Sequence, residues 1–412
     1  MAEIYHRDNC RLCGSKELTL VLKLAPTPIA DAYVSAERAK QDQPLYPMDI
    51  FLCRSCGLSQ MLDVINPETL YRDYIYVTTS SLGLLDHFES TAEDILSRIK
   101  PEKGSRVVDI GSNDGTLLRH FKKRGMNVLG VEPASEIALA ATKSGVETLP
   151  LFFDKALGKK IRQERGAAKI ITMNNLMANI DDLSDMVGGL RELLDSDGVF
   201  IFESYYLPDL IENMVFDFLY HEHLSSFSVK PIQSFFKRNG MELIDVQRIP
   251  TKGGSLRYTA QLAGGPRPVS PMVTELLKLE ETRGIHQPEV FKTFAKRIDK
   301  AREELAQQLK EIRAKGKSVA GYGASATTTT MIYHFNITDQ MDFIVDDNPA
   351  KQNTFSPGCH IPVLSSQAIY EKKPDYLLVL AWRYYQPIVK KHQTFLAQGG
   401  QFIVPLPKLQ IL

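Results

Sequence analysis

Val107-Val-Asp-Ile-Gly-Ser-Asn-Asp-Gly-Thr116 decides the fold of this 412-residue chain. An apolar run breaks at a turn holding Gly111 and Gly115, and helix-compatible sequence follows. Missing side chains there let the backbone approach a ligand at the N-terminus of the next helix. The next apolar run closes on Gly130-Val-Glu132-Pro133, about twenty residues on, where a carboxylate can accept both hydroxyls of a ribose. Asp109, Asn113 and Asp114 make the turn acidic, a poor cradle for a pyrophosphate and a good one for the cationic amino-acid end of S-adenosylmethionine. Asp109, Gly111, Asn113, Asp114, Gly115 and Glu132 are therefore read as cofactor-binding. Asn174, at the carboxyl end of the third run, should border the adenine and the sulfonium.

Working outward, Ile170-Ile-Thr-Met173 and Gly198-Val-Phe-Ile-Phe202 continue the alternation of apolar runs and amphipathic spacers, the pattern of a doubly wound parallel sheet. Upstream lie two cysteine pairs, Cys10-Arg-Leu-Cys13 and Cys53-Arg-Ser-Cys56. Each sets two thiolates on one tight turn, and two such turns close a tetrahedral site of the kind Zn2+ accepts. With all four positions filled by protein the metal is structural. Downstream, the charged, periodic stretch from Glu275 to Lys315 predicts one or two long helices. Ser318-Val-Ala-Gly-Tyr-Gly-Ala324 and Phe343-Ile-Val-Asp346 then predict a second strand, turn and helix with a second strand ending in acid. The expected architecture is α/β: a zinc-binding module (1–72), a Rossmann-like methyltransferase domain (73–265) and a C-terminal Rossmann-like domain (266–412), to which the resemblance set out below adds substrate binding.

Composition narrows the function. Forty-nine basic residues balance 49 acidic ones, which argues against a nucleic-acid surface. No run reaches the ~18 apolar residues that span a bilayer, so no membrane partner is expected. Five cysteines, four of them in metal knuckles and Cys359 alone, suit the cytoplasm. Oligomeric state stays open.

Asp217-Phe-Leu-Tyr-His-Glu-His-Leu-Ser225 carries the densest titratable chemistry, with Tyr220, His221, Glu222 and His223 in a row. If extended, the segment puts its two histidines on one face and Tyr220 with Glu222 on the other; if it turns, the set can converge. A His-x-His metal reading lacks further ligands, and a hydrogen-bonded cluster at a domain seam is the alternative.

Together, the cysteine knuckles, the Tyr71, Tyr74, Tyr76 and Thr78-Thr-Ser-Ser81 segment, the glycine turn, Tyr-His-Glu-His, Gly253-Gly-Ser-Leu-Arg257, and Gly321-Tyr-Gly-Ala324 with Val345-Asp-Asp-Asn-Pro349 resemble the zinc-containing nucleotide-sugar C-methyltransferases of deoxysugar biosynthesis. The resemblance covers essentially the whole chain. It implies S-adenosylmethionine and structural zinc as cofactors, and a small-molecule partner, a 4-keto nucleotide-deoxysugar, methylated alpha to its ketone. It implies His223 as base, near its unperturbed pKa, Tyr220 as enolate donor, Glu222 as the holder of the imidazole or a sugar hydroxyl, and Tyr76 as a lid phenol. Asn179, Tyr74, Arg257 and Tyr322 are the implied substrate contacts. Two positions depart from the family pattern. Asn179 stands where many relatives have histidine, and it cannot carry a proton at neutral pH. Ala324-Ser-Ala-Thr-Thr-Thr-Thr330 lacks a lysine that relatives often carry there, removing a cation from the place of a diphosphate. A non-sugar ketone or enol acceptor, or a non-catalytic sugar-nucleotide binder, are the alternatives. A dinucleotide oxidoreductase reading of the second turn rests on a partial fingerprint, with Ala326 at the third glycine position, and leaves the central domain unexplained.

Overall fold

A computed structural model describes residues 4–71 and 83–412. Tyr74 and Tyr76 lie outside the described residues. The central sheet is built from β6 (Arg106–Ile110), β7 (Asn127–Val131), β8 (Thr148–Leu149), β9 (Ala168–Asn174), β10 (Leu194–Tyr205), β12 (Met241–Ile249) and β13 (Ser255–Leu262). Its order is β12-β13-β10-β9-β6-β7-β8. Strands β6 to β10 run parallel, while β13 is antiparallel to both β10 and β12. Helices cover both faces of the parallel strands, so Val107, Val108, Ile170, Ile171 and Phe200 are fully buried. The helices Lys155–Arg165 and Leu183–Leu193 meet backbone to backbone: a Cβ at Gly158 would lie 2.4 Å from the Gly189 carbonyl oxygen.

The N-terminal residues form β1 (Ile4–His6), which pairs with β5 (Asp63–Ile65), and β2 (Leu18–Leu22), β3 (Ile50–Cys53) and β4 (Ser59–Met61). A two-residue strand from the central region, β11 (Ser225–Ser226), completes the second sheet in the order β11-β4-β3-β2. The Tyr220 to His223 segment is thereby tied to the cysteine module.

Two helices, Pro271–Thr282 and Pro288–Ala314, fill the charged stretch. The longer buries Phe291, Phe294, Ile298, Ala301, Leu305, Leu309 and Ile312, a single stripe at helical spacing. The C-terminal sheet contains β14 (Val319–Tyr322), β15 (Ile344–Asp346), β16 (Thr354–Phe355), β17 (Pro362–Ser365), β18 (Tyr376–Val379), β19 (Gln401–Val404) and β20 (Gln410–Ile411), ordered β16-β17-β15-β14-β18-β19-β20. Its core strands are parallel and its edges antiparallel. No helix among the described residues is long and apolar enough to cross a membrane.

Candidate active site

The cysteine knuckles meet. Cys10 and Cys56 sulfurs are 3.5 Å apart, Cys13 and Cys53 3.6 Å, and all four lie within 4.8 Å of one another. Zn–S bonds of about 2.3 Å require tetrahedral edges of about 3.8 Å, so the four sulfurs fit Zn2+ as they stand. Each pair is followed by a glycine with positive φ, Gly14 (72°) and Gly57 (85°), whose N–H returns to the first cysteine's carbonyl oxygen. At Gly57 a Cβ would stand 2.6 Å from the His286 ring. Between Cys10 and Cys13, the buried Arg11 side chain donates to Asp181 (2.8 Å), Gln60 (3.2 Å) and the Leu224 carbonyl oxygen (3.0 Å). The metal module therefore grips the residue next to His223.

The Gly111 to Gly115 turn joins β6 to the helix Thr116–Lys123. Glu132 accepts the Asn113 N–H through one oxygen and the Ala134 N–H through the other, both at 3.0 Å, which fixes the carboxylate at the strand end. Asn113 (φ 49°) and Gly115 (φ 77°) shape the turn, and a Cβ at Gly130 would fall 2.5 Å from the Ser112 hydroxyl oxygen. The acids of the turn do not simply face a ligand. Asp109 is buried and accepts the Thr172 hydroxyl at 2.6 Å, and burial lifts its pKa to about 7. Asp114 accepts both the N–H (3.0 Å) and the hydroxyl (2.6 Å) of Thr116 and so opens the helix Thr116–Lys123. Buried Asn174 Nδ2 and Ser112 Oγ have no hydrogen-bond partner among the described residues. Orphaned polar groups beside a fixed carboxylate fit S-adenosylmethionine, whose ribose and amino-acid end need them.

The titratable segment turns. The His223 N–H donates to the Tyr220 carbonyl oxygen at 2.7 Å, bringing the two rings to 4.1 Å, with Tyr205 at 5.1 Å and Phe218 at 5.7 Å from His223. His223 Nδ1 lies 2.7 Å from the Phe218 carbonyl oxygen, so it carries the proton and Nε2 the lone pair. The expectation of an unperturbed imidazole is corrected: burial, with the Lys252 charge adding to it, depresses its pKa to about 3. Burial, reinforced by the Glu222 charge, pushes the Tyr220 phenol far up. His221 faces the other way, its ring packed on Tyr46 at 5.7 Å. The two histidines thus share no metal site; among the described residues the four cysteines are the only group of metal-ligating side chains that converges.

This turn is held from both sides. Asp217 accepts from Trp382 Nε1 (3.0 Å) and Arg383 (2.9 Å), and the Thr330 hydroxyl donates to the Leu219 carbonyl oxygen (3.1 Å). Downstream, Leu224 accepts the Met61 N–H (3.0 Å) as well as Arg11.

A cavity of about 450 Å³ lies between the carboxyl edge of the central sheet and the C-terminal unit. His87, Asn175, Glu203, Lys252, Trp382 and Arg383 help line it. His87 Nε2 stands 2.9 Å from the Glu203 carboxylate, which also accepts from Thr251 (3.1 Å) and Arg257 (3.1 Å). Burial alone would raise the Glu203 pKa, but His87 and Arg257 together hold it below the usual range. Arg257, expected at the substrate, is instead buried behind Glu203, bonded also to Thr91 (2.7 Å). Tyr322, also expected there, is buried in the C-terminal unit: its hydroxyl donates to Asp347 (2.8 Å) and meets His392 Nε2 (3.1 Å). Asn179 Nδ2 donates to the Tyr71 hydroxyl at 3.0 Å. Sequence reading missed His87, Glu203, Lys252, Trp382 and Arg383. The only local signals were an acid ending the run Phe200-Ile-Phe-Glu203 and a lysine before a glycine pair.

Comparison with known proteins agrees with this layout. Three family models match in chain order: a zinc binding domain over residues 10–71, a methyltransferase domain over 85–246 and a C-methyltransferase C-terminal domain over 250–407. C-methyltransferase NovU from Streptomyces niveus is 33% identical over 406 residues, 98% of this chain and 97% of its own. Among solved structures, PH0226 from Pyrococcus horikoshii (14% identity, TM-score 0.38) matches 48% of this chain and 100% of its own. The magnesium protoporphyrin IX methyltransferase of Synechocystis (16%, TM-score 0.35) matches 48% and 92%. The chain belongs to the zinc-containing, S-adenosylmethionine-dependent C-methyltransferases.

Proposed function

We propose that the chain methylates a carbon alpha to a ketone, with a 4-keto nucleotide-deoxysugar as acceptor and an enolate as nucleophile. The observation that carries this reading is the turn where a phenol, a carboxylate and a neutral imidazole come together, tied through Asp217 to Trp382 and Arg383 of the cavity wall. The likeness to C-methyltransferase NovU supports transfer to carbon.

Carbon attacks a methyl group only after an adjacent carbonyl lets it lose a proton. S-adenosylmethionine, when bound, supplies an electrophilic methyl on a sulfonium; Glu132, Asn174 and the Gly111 to Gly115 turn would hold it. In this reading His223 Nε2 takes the α-proton, with Phe218 fixing the tautomer. Burial keeps the imidazole neutral down to about pH 3, so it enters in the accepting form. The same burial makes it a weak base, at about 1.4 kcal/mol per pKa unit, so the step leans on stabilising the enolate. Tyr220, its hydroxyl kept protonated by burial, donates to the enolate oxygen. Glu222 orients the acceptor, and Asn179 offers its Oδ1 to a sugar hydroxyl.

Deuterium wash-in from heavy water, with S-adenosylhomocysteine bound, tests the reading. Exchange alpha to the ketone of a 4-keto nucleotide-sugar, lost in His223→Ala, is expected. Methylation without any such exchange, or exchange undiminished in His223→Ala, would remove the enolate or the base from the scheme.

A further inference from the structure

Lys252 belongs to none of the motifs that point to the chemistry, yet the fold places it with care. It sits at φ 55°, a left-handed conformation that residues with a side chain rarely adopt. Its turn is pinned on both sides. Thr251 donates to Glu203 at 3.1 Å, and Gly253 and Gly254 press so close that added Cβ atoms would lie 2.9 Å from Val215 and 2.4 Å from Asp209. The glycine pair therefore lets the turn sink against the helix Leu207–Glu212 and carry the lysine to the cavity wall. Strain retained beside a cleft is a mark of function.

The surrounding charges cancel in pairs. Arg383 is bound to Asp217, and Arg257 to Glu203 and Asp94. Lys252 lines the cavity with no ion pair or hydrogen bond among the described residues. A diphosphate carries at least two negative charges and would call for more than one free cation, whereas an enolate develops one.

We propose that the Lys252 ammonium is a catalytic residue of the acceptor site, placed to take the negative charge of the enolate. This rests on the enolate reading above. The α C–H bond breaks, its proton goes to His223 Nε2, and its electron pair moves through the new C=C bond to the ketone oxygen, which meets Lys252 and Tyr220. When the pair returns to form the carbon–methyl bond, the methyl–sulfur bond breaks and its electrons stay on sulfur. Lys252 and His223 are a matched pair, because the ammonium helps keep the imidazole unprotonated.

The charged groups acting on Lys252 are Glu203 and Glu222, which favour its ammonium form, and Arg383, which opposes it. Burial is the larger influence and brings its pKa down to about 8. Activity should thus fall as pH rises through about 8, while a guanidinium would stay charged.

The test compares wild type, Lys252→Met and Lys252→Arg with a 4-keto nucleotide-sugar, reading kcat, KM, α-deuterium exchange, pH profile and S-adenosylhomocysteine affinity. Expected for Lys252→Met is a fall of about 10²–10³-fold in kcat and in exchange, with affinity for S-adenosylhomocysteine unchanged. Lys252→Arg should recover part of kcat and shift the basic limb upward. Undiminished kcat in Lys252→Met, or a rise in KM alone, would overturn the proposal and make Lys252 a binding contact or a bystander. Wild-type turnover alongside such a result would leave the enolate reading standing. Wild type that methylates its acceptor without α-exchange would instead bring down that reading, and the role of Lys252 with it.

Discussion

The two parallel-sheet units solve one local problem the same way and use the solution oppositely. In the central unit Glu132 ends β7 and accepts backbone N–H groups from the turn after β6 and from its own turn, both at 3.0 Å. In the C-terminal unit Asp346 ends β15 and does the same for Ala324 (2.6 Å) and Asn348 (2.7 Å). Around the first turn, the buried Ser112 Oγ and Asn174 Nδ2 have no hydrogen-bond partner among the described residues. The second is occupied by protein: the Thr329 hydroxyl donates to the Ala30 carbonyl oxygen (2.7 Å), the Tyr33 hydroxyl to the Ser325 carbonyl oxygen (3.4 Å), and Lys351 pairs with Asp31 at 2.6 Å. A strand, turn, helix and acid make a cradle or a docking face according to what covers them. That answers what the Thr327 to Thr330 run does: all four side chains are buried, Thr328, Thr329 and Thr330 donate to the carbonyl oxygens of Gly323, Ala30 and Leu219, and Thr327 hydrogen-bonds the Ser325 hydroxyl.

The largest expected effect comes from removing the cover. Structural zinc contributes about 10–16 kcal/mol to small metal modules, so Cys10→Ser or chelation should unfold the N-terminal residues and release Arg11 from Leu224. Limited proteolysis should then cut near Asp31 and Tyr33, while S-adenosylhomocysteine affinity, measured by calorimetry, holds. If donor affinity collapses too, the two turns are not independent.

Next in size, His223→Ala should lower kcat by about 10²–10⁴-fold with donor affinity unchanged, as steady-state kinetics and calorimetry would report. The comparison itself is sharpest in a matched pair of variants. Glu132→Gln should weaken S-adenosylhomocysteine binding by about 10- to 100-fold, since hydrogen bonds to a charged group are worth about 1.5–3 kcal/mol. Asp346→Asn should leave that affinity alone and lower thermal stability. Equal loss of donor binding in both would mean that the second turn also holds a ligand.

Acid should act on the seams. His221, His286 and His334 are held by burial at about 4 and His223 at about 3, all below the 6.5 of an unfolded chain. Their neutral forms are fully accommodated above pH 6.5, and stability is lost as pH falls from there toward 4, by about 3 kcal/mol for each histidine that must charge. Denaturant melts between pH 7 and 4 would show it, with little change from these groups between 7 and 8. The smallest effect is Thr329→Val, which removes one buried hydrogen bond and should cost about 1–3 kcal/mol without touching donor affinity.

The sequence by itself determined what depends on neighbours along the chain: cysteine spacing that makes a metal knuckle, glycines that open a turn, an acid one strand further on, and a helical stripe from Phe291 to Ile312. Those features follow from backbone geometry and periodicity over a few residues. Only the tertiary structure decided which turn stays open, because Ala30, Asp31 and Tyr33 reach Ser325, Thr329 and Lys351 across some three hundred residues. It also decided that His223 is desolvated, that Arg257 stands behind Glu203, and that Lys252 comes to the cavity wall. Burial and long-range pairing set those electrostatics, and neither is written in local pattern.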